Sequence, residues 1–273
     1  MKPYETLRAT VVVAAVCLGL NLSGQVMGQD VGAEVPGASV FRAKNPETKK
    51  KPQTSGNKPS NRNPARSTRA TATNVEDRIE DLLDKGNNAR DGRRFAEAEE
   101  SYKAVFKLKP KDGRAAYGLG NVYSDQQRWE DAEAAYRNAV EWSPNNADAY
   151  VALSVVLVQP HAGGDNAKRL AEAEQFARRS VQIDPKNAVG WDRLGVAMQA
   201  RSILNTETEH SYRRAIELDP EFAVAYAHLA RFLNRTGHPG DAVPLYSKAT
   251  ELAKDAPTFN LIAESLQAEQ LWP

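Results

Sequence analysis

The stretch YGLGNVYSDQQRWEDAEAAY, residues 117–136, sets two small residues, Gly120 and Ala132, among large apolar side chains at helical spacing. A glycine inside a helix costs about 0.5–1 kcal/mol relative to alanine, so giving up side chain there needs a close approach by something else. The loss recurs along the chain. Gly86, Gly120, Ser154, Gly195 and Ala230 are separated by 34, 34, 41 and 35 residues. Ala98, Ala132, Ala173, Thr208 and Ala242 step by 34, 41, 35 and 34, and Tyr102, Tyr136, Ala177, Tyr212 and Tyr246 do the same. Pro110, Pro144, Pro185 and Pro220, in "KLKP", "EWSP", "QIDP" and "ELDP", keep the register at 34, 41 and 35. Self-similarity at this period is the signature of a helical repeat.

Each repeat reads as two helices that cannot bury their apolar faces alone, so neighbours stack to complete a core. Small residues let the paired helices come close, and the tyrosine fills the space between one pair and the next. Proline cannot continue a helix and turns the residue before it away from helical angles, which closes each repeat.

The pattern resembles the tetratricopeptide repeat family. It is clearest in the second repeat, at Ala116, Leu119, Gly120, Tyr123, Ala132, Tyr136, Ala139 and Pro144; Trp191, Leu194 and Gly195 keep it in the fourth. The resemblance implies an all-α fold, a right-handed superhelical solenoid of antiparallel helix pairs, with five repeats at 79–112, 113–146, 147–187, 188–222 and 223–256. A capping helix over 257–272 follows, with Phe259, Ile262 and Leu266 on one stripe and Glu264 and Gln267 facing away. Two departures stand out. The third repeat carries seven extra residues, around "QPHAGGDNAKR", expected as an enlarged loop over 159–169. In the fourth, Thr208 replaces alanine and the connection is one residue longer, which predicts a splayed pair.

Outside the repeats the chain changes character. Residues 1–28 hold Lys2 and Arg8, then "ATVVVAAVCLGL", then "SGQVMGQ", the three regions of a secretory signal, with cleavage expected near Gly28. The apolar run is shorter than the roughly 20 residues of a membrane-spanning helix, which favours a cleaved signal over a retained anchor. Cys17 is the only cysteine, and Val16 before it argues against lipidation. Residues 29–75 are rich in Pro, Lys, Ser, Thr and Asn and read as a disordered linker. Nine basic and three acidic residues give that linker a net charge of +6. The chain totals +1 and residues 1–28 carry +1, so the repeats carry 1 − 1 − 6 = −6. The linker has no interleaved aromatics to stack on bases, so a solvated spacer is expected rather than a specific nucleic-acid site. Membrane contact is expected only through the signal or the linker.

No catalytic constellation is legible. His161, His210, His228 and His238 fall in different repeats without metal-ligand spacing, and no phosphate loop or nucleophile elbow is present. No cofactor and no enzyme activity are expected. The family resemblance places the first helix of each pair on the concave side, with positions five, nine and twelve facing the groove. These are Leu83, Asn87 and Arg90; Tyr117, Asn121 and Ser124; Val151, Val155 and Val158; Asp192, Val196 and Gln199; and Ala227, Arg231 and Asn234, with Arg193 and His228 beside them. The candidate partner-binding residues are Asn87, Tyr117, Asn121, Val151, Val155, Arg193, His228 and Arg231. Two readings remain open for the valines: partner contact, or burial within a helix that is apolar almost all round. Some relatives clamp an acidic chaperone tail through five groove positions; Asn121 and Arg193 match, but Tyr117, Ala152 and Val189 do not. The expected function is an exported scaffold that binds a protein or peptide segment, with an acidic end near Arg193 and Arg231, in assembly of a cell-envelope complex. An accessory subunit of an envelope enzyme, or polyanion binding through residues 42–69, are the alternatives.

Overall fold

A computed structural model describes residues 64–160 and 165–268, and every described element is a helix. The eleven helices are α1 (Pro64–Asp91), α2 (Phe95–Leu108), α3 (Gly113–Asp125), α4 (Trp129–Trp142), α5 (Ala147–Val158), α6 (Asn166–Ile183), α7 (Ala188–Ala200), α8 (Thr206–Leu218), α9 (Ala223–Arg235), α10 (Pro239–Leu252) and α11 (Ala256–Ala268). They pack as adjacent antiparallel pairs, α1 with α2 through α9 with α10, as the five expected repeats require. The chain divides into two compact units between Pro144 and Asn145. The signal and most of the linker lie outside the described residues. α1 begins at Pro64, within the segment expected to be linker to residue 75. Proline is tolerated in a first helical turn, and Ala65, Arg66, Arg69 and Ala70 after it are good helix formers.

Several of the helices start on side-chain caps, whereas those beginning at Phe95, Trp129, Ala223 and Pro239 do not. Asp112 Oδ1 accepts from the N–H groups of Arg114 and Ala115 at 2.9 and 3.2 Å. Asn146 accepts from Ala149 N–H at 3.2 Å, Asn187 from Gly190 at 3.1 Å and Asn205 from Thr208 at 3.1 Å. Each satisfies an N–H that a helix start leaves without an intrahelical acceptor.

Four of the five pairs turn in one way. Arg93, Gln127, Ser202 and Gly237 adopt positive φ of 55°, 57°, 60° and 84°. The next residue's N–H reaches back to a carbonyl in the preceding helix: Arg94 to Ala89, Arg128 to Tyr123, Ile203 to Met198 and His238 to Leu233, at 2.8–3.0 Å. This is a Schellman closure, which lets a helix end and reverse within three residues. In the third repeat α5 ends at Val158 and α6 starts at Asn166, so residues 166–169 of the insertion lie in the helix, while residues 161–164 fall outside the described residues. Asp165 caps α6, accepting from Lys168 N–H at 3.1 Å, and this corrects the expected loop at 159–169.

The reason for the small residues is direct. A Cβ on Gly86 would stand 2.7 Å from the Tyr102 ring, and one on Gly195 would stand 2.5 Å from Tyr212; Gly120 meets Tyr136 in the same way. Each ring lies flat on the first helix of its own pair. Tyr102 also presses on Gly118 of the next repeat, so the tyrosine does fill the space between pairs. In the third repeat the ring is absent, with Ala177 in its place, and Ser154 is accommodated in the interior. The fourth pair is not splayed as expected. Thr208 is fully buried and its hydroxyl donates to the Ile203 carbonyl at 2.7 Å, so the larger side chain is absorbed by the turn.

The first unit packs around Ile79, Leu83, Tyr102, Val105, Leu119 and Val122. Arg114 ties α3 to α1 by donating to Glu76 and Glu80, and it also donates to its own helix's cap, Asp112. The second unit packs around Tyr212, Val224, Leu229, Phe232 and Tyr246, and α11 closes it with Ile262 and Leu266 buried and Glu264 exposed, as a capping helix should.

Candidate functional site

In the first unit, the groove positions are held from behind by the tyrosines of the second helices. Tyr102 Oη donates to Asn87 Oδ1 at 2.8 Å, and Tyr136 Oη donates to Asn121 Oδ1 at 2.8 Å, each within one repeat. The amide oxygen is thereby fixed and the amide N–H2 turned away from the tyrosine. Burial pushes the Tyr102 hydroxyl up to about 12, so it stays a donor at neutral pH. The Tyr117 ring sits 5.9 Å from that of Tyr136 and is buried. Asn121 is buried as well, while Asn87 is partly exposed. Arg90, a groove position in the sequence reading, is taken by Asp125 on α3, with Nε 2.6 Å from Oδ2 and both side chains largely buried.

In the second unit, α5 is apolar on every side. Val151 is 1% exposed and Val155 6%, which places both in the interior of the folded chain. A fully apolar helix is ordinarily buried.

Five of the remaining polar groove residues, Asp192, Arg193, Gln199, His228 and Arg231, gather around Tyr212. His228 on α9 donates its Nδ1–H to Asp192 Oδ1 on α7 across 2.7 Å. Asp192 is completely buried and its Oδ2 lies 3.5 Å from Arg193 Nε. Burial alone would raise the Asp192 carboxyl, but His228, Arg193 and Arg231 outweigh it and hold it below the usual carboxylate range. Burial pushes His228 below its ordinary value; Asp192 opposes this and the two arginines add to it. Gln199 Oε1 accepts from Tyr212 Oη at 2.9 Å, and the Tyr212 and His228 rings stand 5.9 Å apart. Arg231 keeps part of its surface in solvent. The eight predicted residues therefore fall into two sets, Asn87, Tyr117 and Asn121 in one unit and Val151, Val155, Arg193, His228 and Arg231 in the other. The sequence reading missed Asp192 and Gln199 as members of a polar cluster, although both were placed on the groove stripe.

Among the described residues no group of His, Cys, Asp and Glu could hold a metal ion, and no helix is long and apolar enough to cross a membrane.

Family models described as tetratricopeptide repeat match residues 83–147 and 119–188, and a further one matches 211–244. The chain belongs to the tetratricopeptide repeat family. Solved tetratricopeptide repeat structures align along most of it. A thermophilic repeat protein from Thermus thermophilus superposes with a TM-score of 0.57 at 21% identity, covering 69% of this chain and 99% of that one. YrrB, described as a TPR protein with an unusual peptide-binding site, gives 0.52 at 21% identity over 74% of this chain and 97% of its own. At these identities the likeness is one of fold. Among curated proteins, cellulose synthase operon protein C of Xanthomonas axonopodis pv. citri is 29% identical over 69% of this chain and 13% of its own length. Protein O-mannosyl-transferase Tmtc1 of Drosophila melanogaster is 35% identical over 33% of this chain and 10% of its own. The chain thus spans about a tenth of the length of these relatives. A tetratricopeptide repeat array is a protein-interaction scaffold in its general character, and the stacked pairs of this chain fit that role.

Proposed function

We propose that this chain is an exported scaffold whose first-helix faces capture a protein or peptide segment during assembly of a cell-envelope complex. The observation that supports it most is the tyrosine hold on Asn87 and Asn121. With its oxygen occupied, the partly exposed Asn87 amide has an N–H2 suited to a backbone carbonyl of an extended segment, and the same tyrosine hold recurs one repeat on at the buried Asn121. The YrrB likeness supports peptide capture by analogy of fold. Export rests on the signal-like sequence of residues 1–28.

The Xanthomonas relative's name, a cellulose synthase operon protein, favours a second reading. In it the repeats serve an enzyme complex as an accessory subunit and another chain does the chemistry.

A crosslinked pull-down from the envelope fraction, with residues 29–273 as bait, separates the two. Capture of non-catalytic assembly proteins supports the first reading, and capture of a synthase or transferase supports the second. Capture that falls steeply with salt and is lost on deleting residues 29–75 would instead assign binding to the basic linker.

A further inference from the structure

We propose that the seam between the fourth and fifth repeats is a proton-operated switch: uptake of one proton at His228 uncouples α9, α10 and α11, as a block, from α7 and α8. The device does not depend on what the chain binds.

Within each unit, neighbouring repeats are joined by polar contacts of different chemistry. Arg90 with Asp125, and Arg114 with Glu76 and Glu80, link α3 to α1 by guanidinium–carboxylate pairs. Arg201, just past the end of α7, reaches Glu174 on α6 in the same way. Such pairs keep their charges between about pH 5 and 8. Asn187, the cap of α7, donates to Asp148 on α5 at 3.1 Å. Burial raises that carboxyl, so it holds a proton more tightly folded than unfolded, and acid does not weaken the contact. Among the described residues, the seam of α7 with α9 is the one that turns on a histidine, since His210 and His238 are exposed.

His228 is 4% exposed, and its neighbours come from three helices. From α7, Asp192 takes its Nδ1–H at 2.7 Å, with Arg193 beside it; from α8, the Tyr212 ring stands 5.9 Å away; Arg231 lies on α9 itself. Arg235, also on α9, acts on Tyr212, and burial pushes that hydroxyl far above its ordinary value, so it stays neutral. With a neutral imidazole, one carboxylate and two guanidinium groups carry a net +1. A charged ring would make that +2, and an uncompensated charge in the interior is costly. Burial, aided by the two arginines, therefore holds His228 below its ordinary 6.5 against the pull of Asp192.

The response is local because of the architecture. A stacked array is held by the sum of its repeats and their nearest-neighbour interfaces, so a seam weakened near one end releases what lies beyond it. The block beyond this seam has a core of its own, with Val224, Leu229, Phe232, Tyr246, Ile262 and Leu266. Its remaining ties to the fourth repeat include Tyr212 against Phe232 at 6.1 Å, with Val196 and Ile216 packed alongside. The opened block takes up its proton at the ordinary value and the closed block only at the lowered one. The closed form therefore loses ground as pH falls below 6.5.

Hydrogen–deuterium exchange of the full chain, read by mass spectrometry from pH 7.5 to 5.0 and corrected for the intrinsic pH dependence of exchange, tests the switch. Protection of α9, α10 and α11 is expected to fall about tenfold per pH unit between 6.5 and the lowered value, the slope of one proton. Protection of α2 to α6 is expected to hold. His228→Gln keeps a donor toward Asp192 but cannot titrate, so its α9–α11 protection should stay level. A uniform fall over all helices, no fall in α9–α11, or the same fall in His228→Gln would overturn the proposal. If His228→Gln does not fold, a chain carrying His161→Gln, His210→Gln and His238→Gln retains one imidazole, whose Cε1–H resonance is titrated by NMR. A midpoint below 6.5, at the pH where the fall in protection levels off, supports the switch. A midpoint at or above 6.5, or away from that point, overturns it.

Discussion

His228 and Asp192 join neighbouring repeats through a hydrogen bond of 2.7 Å between completely or almost completely buried side chains. The contact makes the second unit sensitive to acid. His228 titrates below its ordinary value of 6.5 in the folded chain because burial disfavours the charged ring. The unfolded chain therefore takes up a proton first as pH falls. The stabilisation is fully present above 6.5 and is lost as pH falls through the lowered folded value. Asp192, also depressed, adds a loss of the same sign at lower pH, below its ordinary 3.8. Denaturant midpoints measured from pH 7.5 downward should decline below 6.5, and His228→Gln should flatten that decline. An equal slope in both proteins would show that His228 does not report the transition.

The glycine and tyrosine rows are coupled pairs. Gly120→Ala should destabilise by about 1–3 kcal/mol through overpacking against Tyr136, although alanine is the better helix former. The third repeat already shows the compensated arrangement, Ser154 with Ala177. Adding Tyr136→Ala to Gly120→Ser should therefore cost less than the sum of the two single changes, as read from a double-mutant cycle by thermal or denaturant unfolding.

Three of the four Schellman turns place a non-glycine residue at positive φ, which costs about 1 kcal/mol. Gln127→Gly, copying Gly237 of the fifth repeat, should release part of that strain. The greater entropy of an unfolded glycine offsets some of the gain, so the expected change in Tm is a small rise. A clear fall would show that the Gln127 side chain stabilises the turn.

Arg90 and Asp125 form a largely buried pair between the first helices of two repeats. Removing one partner leaves the other charge in the interior, and such losses run to about 3–5 kcal/mol. Asp125→Ala should approach that range, and Arg90→Met with Asp125→Leu together should recover much of it. Chemical denaturation of the four proteins in the cycle measures the coupling.

Val151 and Val155 of α5 are interior side chains. A double replacement of Val151 and Val155 by Asp would bury two unpaired carboxyls and is expected to abolish the helical signal in circular dichroism. Retained helicity would mean that both sites reach solvent.

The register of Gly120, Ala132, Tyr136 and Pro144 carried the fold, because a repeat that must stack on itself writes the same steric requirement at each period. What escaped was local compensation. Thr208 looked like an intrusion, yet its hydroxyl finds the Ile203 carbonyl five residues back, and no periodic pattern encodes that bond. The insertion in the third repeat looked like loop because of Gly163 and Gly164, whereas Asp165 had the chemistry of an N-cap and starts the helix. For the site, the stripe of positions five, nine and twelve was legible from helical geometry. Its occupants were not: Tyr102 to Asn87 and Asp192 to His228 are contacts between residues 15 and 36 positions apart. A carboxylate and a histidine at adjacent stripe positions of successive repeats were the available signal.

Photo-crosslinking from single sites is the most direct test of the scaffold reading. A crosslinking amino acid placed at Asn87 or Arg231, both partly exposed on first helices, is compared with one at Lys107, exposed on a second helix. The account expects partner adducts from positions 87 and 231 and none from position 107. Adducts from position 107 alone, or equal yields from all three, would contradict it.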